Sequence, residues 1–135
     1  MENRFDRTEM LIGKESLSSL SKAKVLIFGI GGVGGYVTEA LARSGVGSMV
    51  LVDNDTVSVT NINRQIIATD STVGMYKTEV MKTRILDINP EAQVEVRNCF
   101  YLPENAEEFD FSQYDYVVDA IDTVSGKIEI IMKAK

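Results

Sequence analysis

The sequence predicts a three-layer α/β domain of Rossmann-like type. A mainly parallel sheet carries helices on both faces and is preceded by N-terminal helices. Three observations predict it. The runs Lys24–Phe28, Met49–Val52 and Tyr116–Ala120 are apolar almost throughout, as strands buried on both faces must be. Helical patterns stand between them, which implies right-handed crossovers and parallel pairing. The first run also breaks into VLIFGIGGVG, where glycines 29, 31 and 34 fit G-x-G-x-x-G, and Asp53 closes the second run.

Each element has its own signal. Residues 8–21 read as two short helical pieces broken at Gly13. Gly32–Ser44 reads as a helix with Val37, Ala40, Leu41 and Ser44 on one face, capped by Gly45 or Gly47. Residues 54–74 read as irregular or short-helical. A helix over Met75–Ile88 turns Met81, Ile85 and Ile88 inward and stops before Asn89-Pro90. Gln93–Arg97 alternates like a strand, and residues 103–113 are polar and acidic, a short helix and loop. After the Tyr116–Ala120 strand, a last helix from Thr123 places Ile128, Ile131 and Met132 on one face. No strand follows it, so we expect a shortened form of a longer protein. The expected division is a helical segment over 1–23 and a truncated nucleotide-binding domain over 24–135.

Composition excludes several classes. The chain has 135 residues, 44% of them hydrophobic and 25% charged, which is ordinary for a globular domain and argues against disorder. No apolar run is long enough to span a bilayer, and MENRFDRTE carries no signal-peptide core, so the cytoplasm is the expected location. One cysteine, Cys99, and no histidine exclude an internal disulfide and a Cys/His zinc site within one chain. The net charge is −6, and residues 91–135 hold ten acidic side chains against four basic ones. That balance advertises no broad nucleic-acid footprint.

Ligands of parallel sheets lie beyond the carboxyl ends of the strands. Gly29–Gly34, Asp53–Asp55 and Asp119–Thr123 all fall at such ends and should share one crevice. The glycines let backbone N–H groups approach a phosphate, and the following helix start favours the anion. Asp53 is placed to take ribose hydroxyls, which the glycine loop supports over the alternative of a helix or turn cap. Asp55 reads as an Asx turn or as an acid near a metal or triphosphate. In TNINRQ, Arg64 can grip phosphate oxygens through its planar fork, Asn61 can order the loop or touch a phosphate, and Gln65 completes the string. Lys77, at a helix start, sits against the dipole, and a polyphosphate would compensate it. Asp119 or Asp122 could hold Mg²⁺, or Asp122 could cap a helix. Lys82 and Arg84 read as a solvated face, and Cys99 as a half-buried structural residue.

Four blocks in order then resemble the ThiF/MoeB/HesA family, bacterial relatives of ubiquitin-activating enzymes: GIGGVGG, LVDNDTVSVTNINRQ, VGMYKTEVMKTRILDINP and DYVVDAIDT; RFDRTEMLIGKE near the start, and NINRQ followed by VG-x-x-K-x-E-V-M, are similar to one branch of it. The likeness runs from Arg4 to Thr123. Within the family it is greatest to the branch of tRNA threonylcarbamoyladenosine dehydratases. The resemblance implies that a carboxylate attacks the α-phosphate of Mg·ATP, giving an acyl-adenylate and pyrophosphate. It implies Gly29, Gly31 and Gly34 at the phosphates, Asp53 at the ribose, Asn61, Arg64 and Lys77 at the phosphates, and Asp122 on Mg²⁺. Arg7, the second arginine of R-x-x-R, would reach a partner subunit's site in a homodimer. The carboxylate would belong to threonylcarbamoyladenosine in tRNA. In sister branches it is the C-terminus of a ubiquitin-like sulfur carrier, with a sulfur-relay partner. The family often has Asp-Asn where this chain has Asp122-Thr123. An NAD-dependent oxidoreductase accounts for the glycines and Asp53 but leaves Arg64, Lys77 and Asp122 without a task. A non-catalytic scaffold is the third reading.

Overall fold

The computed structural model describes residues 3–99, 107–121 and 124–134. In it, strand β1 (Lys24–Phe28) lies between β2 (Ser48–Val52) and β4 (Tyr116–Asp119), and β3 (Gln93–Arg97) flanks β2. The order is β3-β2-β1-β4 and every pair is parallel, with Ile27 opposite Leu51 and Val118. The start of β4 is pinned to β1 twice, because Asp115 N–H donates to the Lys24 carbonyl and its carboxylate accepts the Lys24 N–H, both at 2.8 Å.

Side chains alternate across this sheet, so both faces can be apolar. Val25, Ile27, Met49 and Leu51 join Val80, Met81 and Ile85 in one core. Leu26, Phe28, Val50 and Val52 join Phe109, Phe111 and Ile130 in the other. Leu26, Ile27, Phe28 and Leu51 are fully buried, each worth about 1.5–3 kcal/mol of transfer free energy.

Helix α1 (Asp6–Lys22) breaks at Gly13, where φ is 89° and ψ 161°, as the sequence predicts. None of its residues is fully buried, and Met10 and Leu11 are exposed. Helix α2 (Gly32–Ser44) ends on the left-handed Gly45. Of its expected apolar face, Leu41 is half-buried against the core, but the fully buried positions are others. Gly34, Gly35, Thr38 and Ala42 are buried, while Ala40 is exposed. The helix packs so close to β1 that small residues take the contact, and the Thr38 hydroxyl is satisfied internally by the Gly34 carbonyl at 2.6 Å. A Cβ on Gly34 would lie 1.7 Å from the Gly29 carbonyl oxygen.

Helix α3 (Lys77–Ile88) starts two residues later than expected, because Tyr76 is held in an antiparallel bridge to Thr56. Arg84 is more than a solvated side chain. Its guanidinium pairs with Glu39 of α2, which also meets Arg43 at 3.5 Å. Arg4 donates to the Ile88 carbonyl at 2.8 Å and so caps the C-terminus of α3. Helix α4 (Val124–Ala134) buries Ile130, whereas the expected apolar face of Ile128, Ile131 and Met132 is exposed. Of the expected acidic stretch 103–113, residues 103–106 lie outside the described residues, and Phe111–Gln113 form one 3₁₀ turn. Among the described residues no helix is long and apolar enough to cross a membrane.

Gly34→Ala should prevent folding or lower stability by about 3 kcal/mol or more, since the clash is with backbone rather than with a flexible side chain. Thermal unfolding would read it. The Arg84 hydrogen bond, opposed in part by burial, holds the Glu39 carboxyl below its ordinary value of 4.5. A depressed folded-state value adds stability above the ordinary range that is lost as pH falls through the folded value. The stability gap between wild type and Arg84→Leu should therefore be widest near neutral pH and narrow as pH falls below 4.5, measured by urea unfolding.

Candidate nucleotide-binding site

Four parallel strands end on one rim, and hydrogen bonds continue past them. Gly29 N–H donates to the Val52 carbonyl at 2.9 Å, Asp53 N–H to Arg97 at 3.1 Å and Ala120 N–H to Phe28 at 2.8 Å. The loops after the strands are thereby held side by side. Beyond them opens a cleft of about 560 Å³, lined by the glycine loop, Asp53, Asp55, Arg64, Gln65 and Lys77 among others. That volume suits a small-molecule ligand.

The glycines do different work. Gly29 turns at φ 93°, and a Cβ there would sit 2.5 Å from the Ala120 carbonyl oxygen. Gly31 is the N-cap residue of α2. A Cβ on it would meet only the Gln65 side chain, at 3.5 Å, so the space above it faces the cleft rather than packed backbone. The first turn of α2 has no side-chain cap and no acidic residue, which leaves its N–H groups and positive dipole end to an anion.

Asp53 organises the rim. Its Oδ2 accepts the Ile30 N–H at 2.7 Å and its Oδ1 the Asp55 N–H at 2.8 Å. The second bond is an Asx turn, so the turn expected at Asp55 is made by Asp53. The Asp55 carboxylate is exposed and lies 3.8 Å from the Lys77 ammonium, whose side chain is only 8% exposed. Residues 55–57 and 74–77 run antiparallel: Lys77 N–H donates to Asp55, Val57 N–H to Met75 and Gly74 N–H to Val57. This clamp closes the base of the loop that carries Asn61, Arg64 and Gln65.

Asn61 does not line the cleft. It is buried, and its Oδ1 accepts the Ser58 N–H at 2.8 Å while its carbonyl accepts from Arg64 and Gln65. It orders the turn that presents those two residues. Arg64 is steadied through Nη1 by the Thr60 carbonyl and Asn63 Oδ1, which leaves donors of its fork for a ligand. Gln65 is buried against Gly31, and its Oε1 has no hydrogen-bond partner among the described residues. A buried orphan polar atom is costly; here it lies in the wall of the cleft.

Asp122 lies outside the described residues. Asp119 is committed to α4, since its Oδ1 accepts from Lys127 at 3.1 Å and from the Ile121 N–H at 3.3 Å. Among the described residues no three His, Cys, Asp or Glu side chains gather as a metal site. Arg7 is exposed and does not line the cleft. Its neighbours anchor at the opposite end of the sheet: Arg4 at the end of α3, and Phe5 beside Gly45. Cys99, whose sequence reading was structural, lines the cleft. It follows the end of β3, so the strand-end rule applied to that strand finds it. Burial, and then Glu108, push its thiol up, so it stays protonated and weakly nucleophilic near neutral pH.

Known proteins bear on this geometry. The model of the ThiF family matches residues 5–134. A tRNA threonylcarbamoyladenosine dehydratase of Bacillus subtilis is 50% identical over 131 residues, which is 97% of this chain and 52% of the relative. The molybdopterin-synthase adenylyltransferase of Salmonella typhimurium is 37% identical over 129 residues, covering 94% of this chain and 51% of that protein. The crystal structure of the Escherichia coli dehydratase TcdA in complex with ATP superposes with a TM-score of 0.92 at 46% identity, over 95% of this chain and 53% of that one. The chain thus spans about half the length of the relatives it matches.

Replacing Asp53 by Asn puts an NH₂ against one of the two N–H donors now bound. It should cost about 1–3 kcal/mol of stability, read by urea unfolding.

Proposed function

This chain belongs to the ThiF family, and from that premise we propose that it is the nucleotide-binding part of an enzyme that uses ATP to adenylate a carboxylate. One observation carries the reading. Loops remote in sequence bring the α2 N-terminus, Arg64, Gln65 and the buried Lys77 to a single cleft. Of the relatives that match nearly the whole chain, one is named an adenylyltransferase, and a dehydratase was crystallised with ATP.

A carboxylate oxygen attacks the α-phosphate in line, pyrophosphate departs, and the mixed anhydride retains the AMP. Nothing covalent is asked of the protein. It must hold the triphosphate in the attack geometry and stabilise the charge that develops. The α2 N–H groups bind phosphate oxygens, Arg64 forks over them and Lys77 supplies a point charge from the wall. Asp53 faces the ribose while its two bonded N–H groups fix the loop. Mg²⁺ takes one or two carboxylates with phosphate oxygens and water; Asp122 would be that carboxylate, and the bound ion would supply positive charge at the triphosphate. Arg7, far from its own cleft, would complete the cleft of a second copy in a homodimer.

We place the substrate carboxylate on the threonylcarbamoyl group of a modified adenosine in tRNA, because the 50%-identical relative is a dehydratase of that nucleoside. Once the carboxyl is adenylated, the carbamoyl group closes a ring and AMP leaves, so the net change is loss of water. A tRNA substrate makes the cytoplasm the place of action. The 37%-identical adenylyltransferase favours a second reading, in which the carboxylate is the C-terminus of a ubiquitin-like sulfur carrier.

The complete protein should exchange labelled pyrophosphate into ATP when given tRNA that bears threonylcarbamoyladenosine. Arg64→Ala and Lys77→Ala should each lower the rate by about 10²-fold or more. Exchange with a sulfur carrier and none with tRNA would move the assignment to the second reading. No exchange with either, in a folded protein, would end the adenylation reading.

A further inference from the structure

On the reading that this cleft binds ATP, we infer that Asp55 is the counter-ion that positions Lys77 and competes with phosphate for it, and that it is not a ligand of the nucleotide. The Lys77 side chain is 8% exposed and that of Asp55 63% exposed, with Nζ and Oδ2 3.8 Å apart. An ammonium so withdrawn from water needs an opposite charge. Among the described residues Asp55 is its ion-pair partner.

The pairing is set by backbone rather than by side-chain search. Lys77 N–H donates to the Asp55 carbonyl at 3.1 Å, and the adjacent residues Thr56 and Tyr76 form the antiparallel bridge. The Asp55 N–H is held in turn by Asp53 Oδ1. A single chain of contacts therefore runs from the glycine loop through Asp53 and Asp55 to Lys77. At 3.8 Å the ion pair is longer than a good N–H···O bond. The ammonium keeps its donors for a phosphate oxygen, which brings more charge at shorter range. Asp55, already in contact with water, is left behind at the rim at little desolvation cost.

The two anions then share one cation, so Asp55 weakens phosphate binding while it keeps Lys77 aimed. Removing its charge should tighten binding by about three- to tenfold, the scale of a partly solvated charge pair at this range. The test is titration calorimetry of inorganic tripolyphosphate and of Mg·ATP into the complete protein. The variants are Asp55→Asn, Asp55→Glu, Lys77→Met and the double substitution Asp55→Asn with Lys77→Met. The expected result is tighter binding of both probes by Asp55→Asn, no tightening by Asp55→Glu, and little effect of Asp55→Asn once Lys77 is Met. Weaker binding by Asp55→Asn would make Asp55 a ligand of the nucleotide or metal and overturn the inference. An equal gain in both Lys77 backgrounds would show general repulsion and overturn it too, as would unchanged affinity. Wild type that binds neither probe would instead remove the nucleotide reading on which the inference stands.

Discussion

One carboxylate ties the working end of this fold together. Asp53 leaves the end of β2 and accepts an N–H from the glycine loop and another from its own next turn. These two bonds add to the Gly29–Val52 backbone bond in tying the loop after β1 to the segment after β2. With them, the α2 N-terminus, Asp55 and, through the antiparallel clamp, Lys77 form one rigid rim. A charge-assisted bond to backbone N–H is stronger than a neutral one, which suits an acid at this position even before any ligand is considered.

The rim is built on a sheet that can afford no slack. β1 is central, and its residues feed two cores at once, Ile27 into one and Phe28 into the other. The close approach of α2 follows from small residues at its buried face, and that approach brings the helix dipole to the cleft. Stability and binding thus draw on the same contacts. The Glu39–Arg84 pair and the Arg4 cap on α3 act farther away and hold the helix layer in place rather than the ligand.

Much of this was legible along the chain. The bounds of β1 and β3, the break at Gly13 and the glycine turn are local facts, written in runs of apolar residues and in positions that need a missing Cβ. The strand-end rule placed the cleft correctly and, applied to β3, reaches Cys99 as well. Other readings fell short for equally physical reasons. On α2 hydrophobicity picks out Val37 and Leu41, which are half-buried with Leu41 against the core, whereas the closest packing takes glycine, threonine and alanine. The start of α3 was misjudged because Met75 and Tyr76 are drawn into pairing with a segment some twenty residues earlier, which no helical periodicity reveals.

The sequence by itself determined the fold class, the nucleotide loop and the residue types that line it, because buried strands and tight glycine turns follow from short-range sterics and burial. Only the tertiary structure decided which polar groups are already spent and which remain available. Asn61 is spent on the Ser58 turn and Asp119 on Lys127, whereas among the described residues Gln65 Oε1 has no partner and the buried Lys77 pairs with the exposed Asp55. That division depends on distances between residues far apart in the chain, and a hydrogen bond or ion pair exists only where folding brings donor and acceptor within a few ångströms.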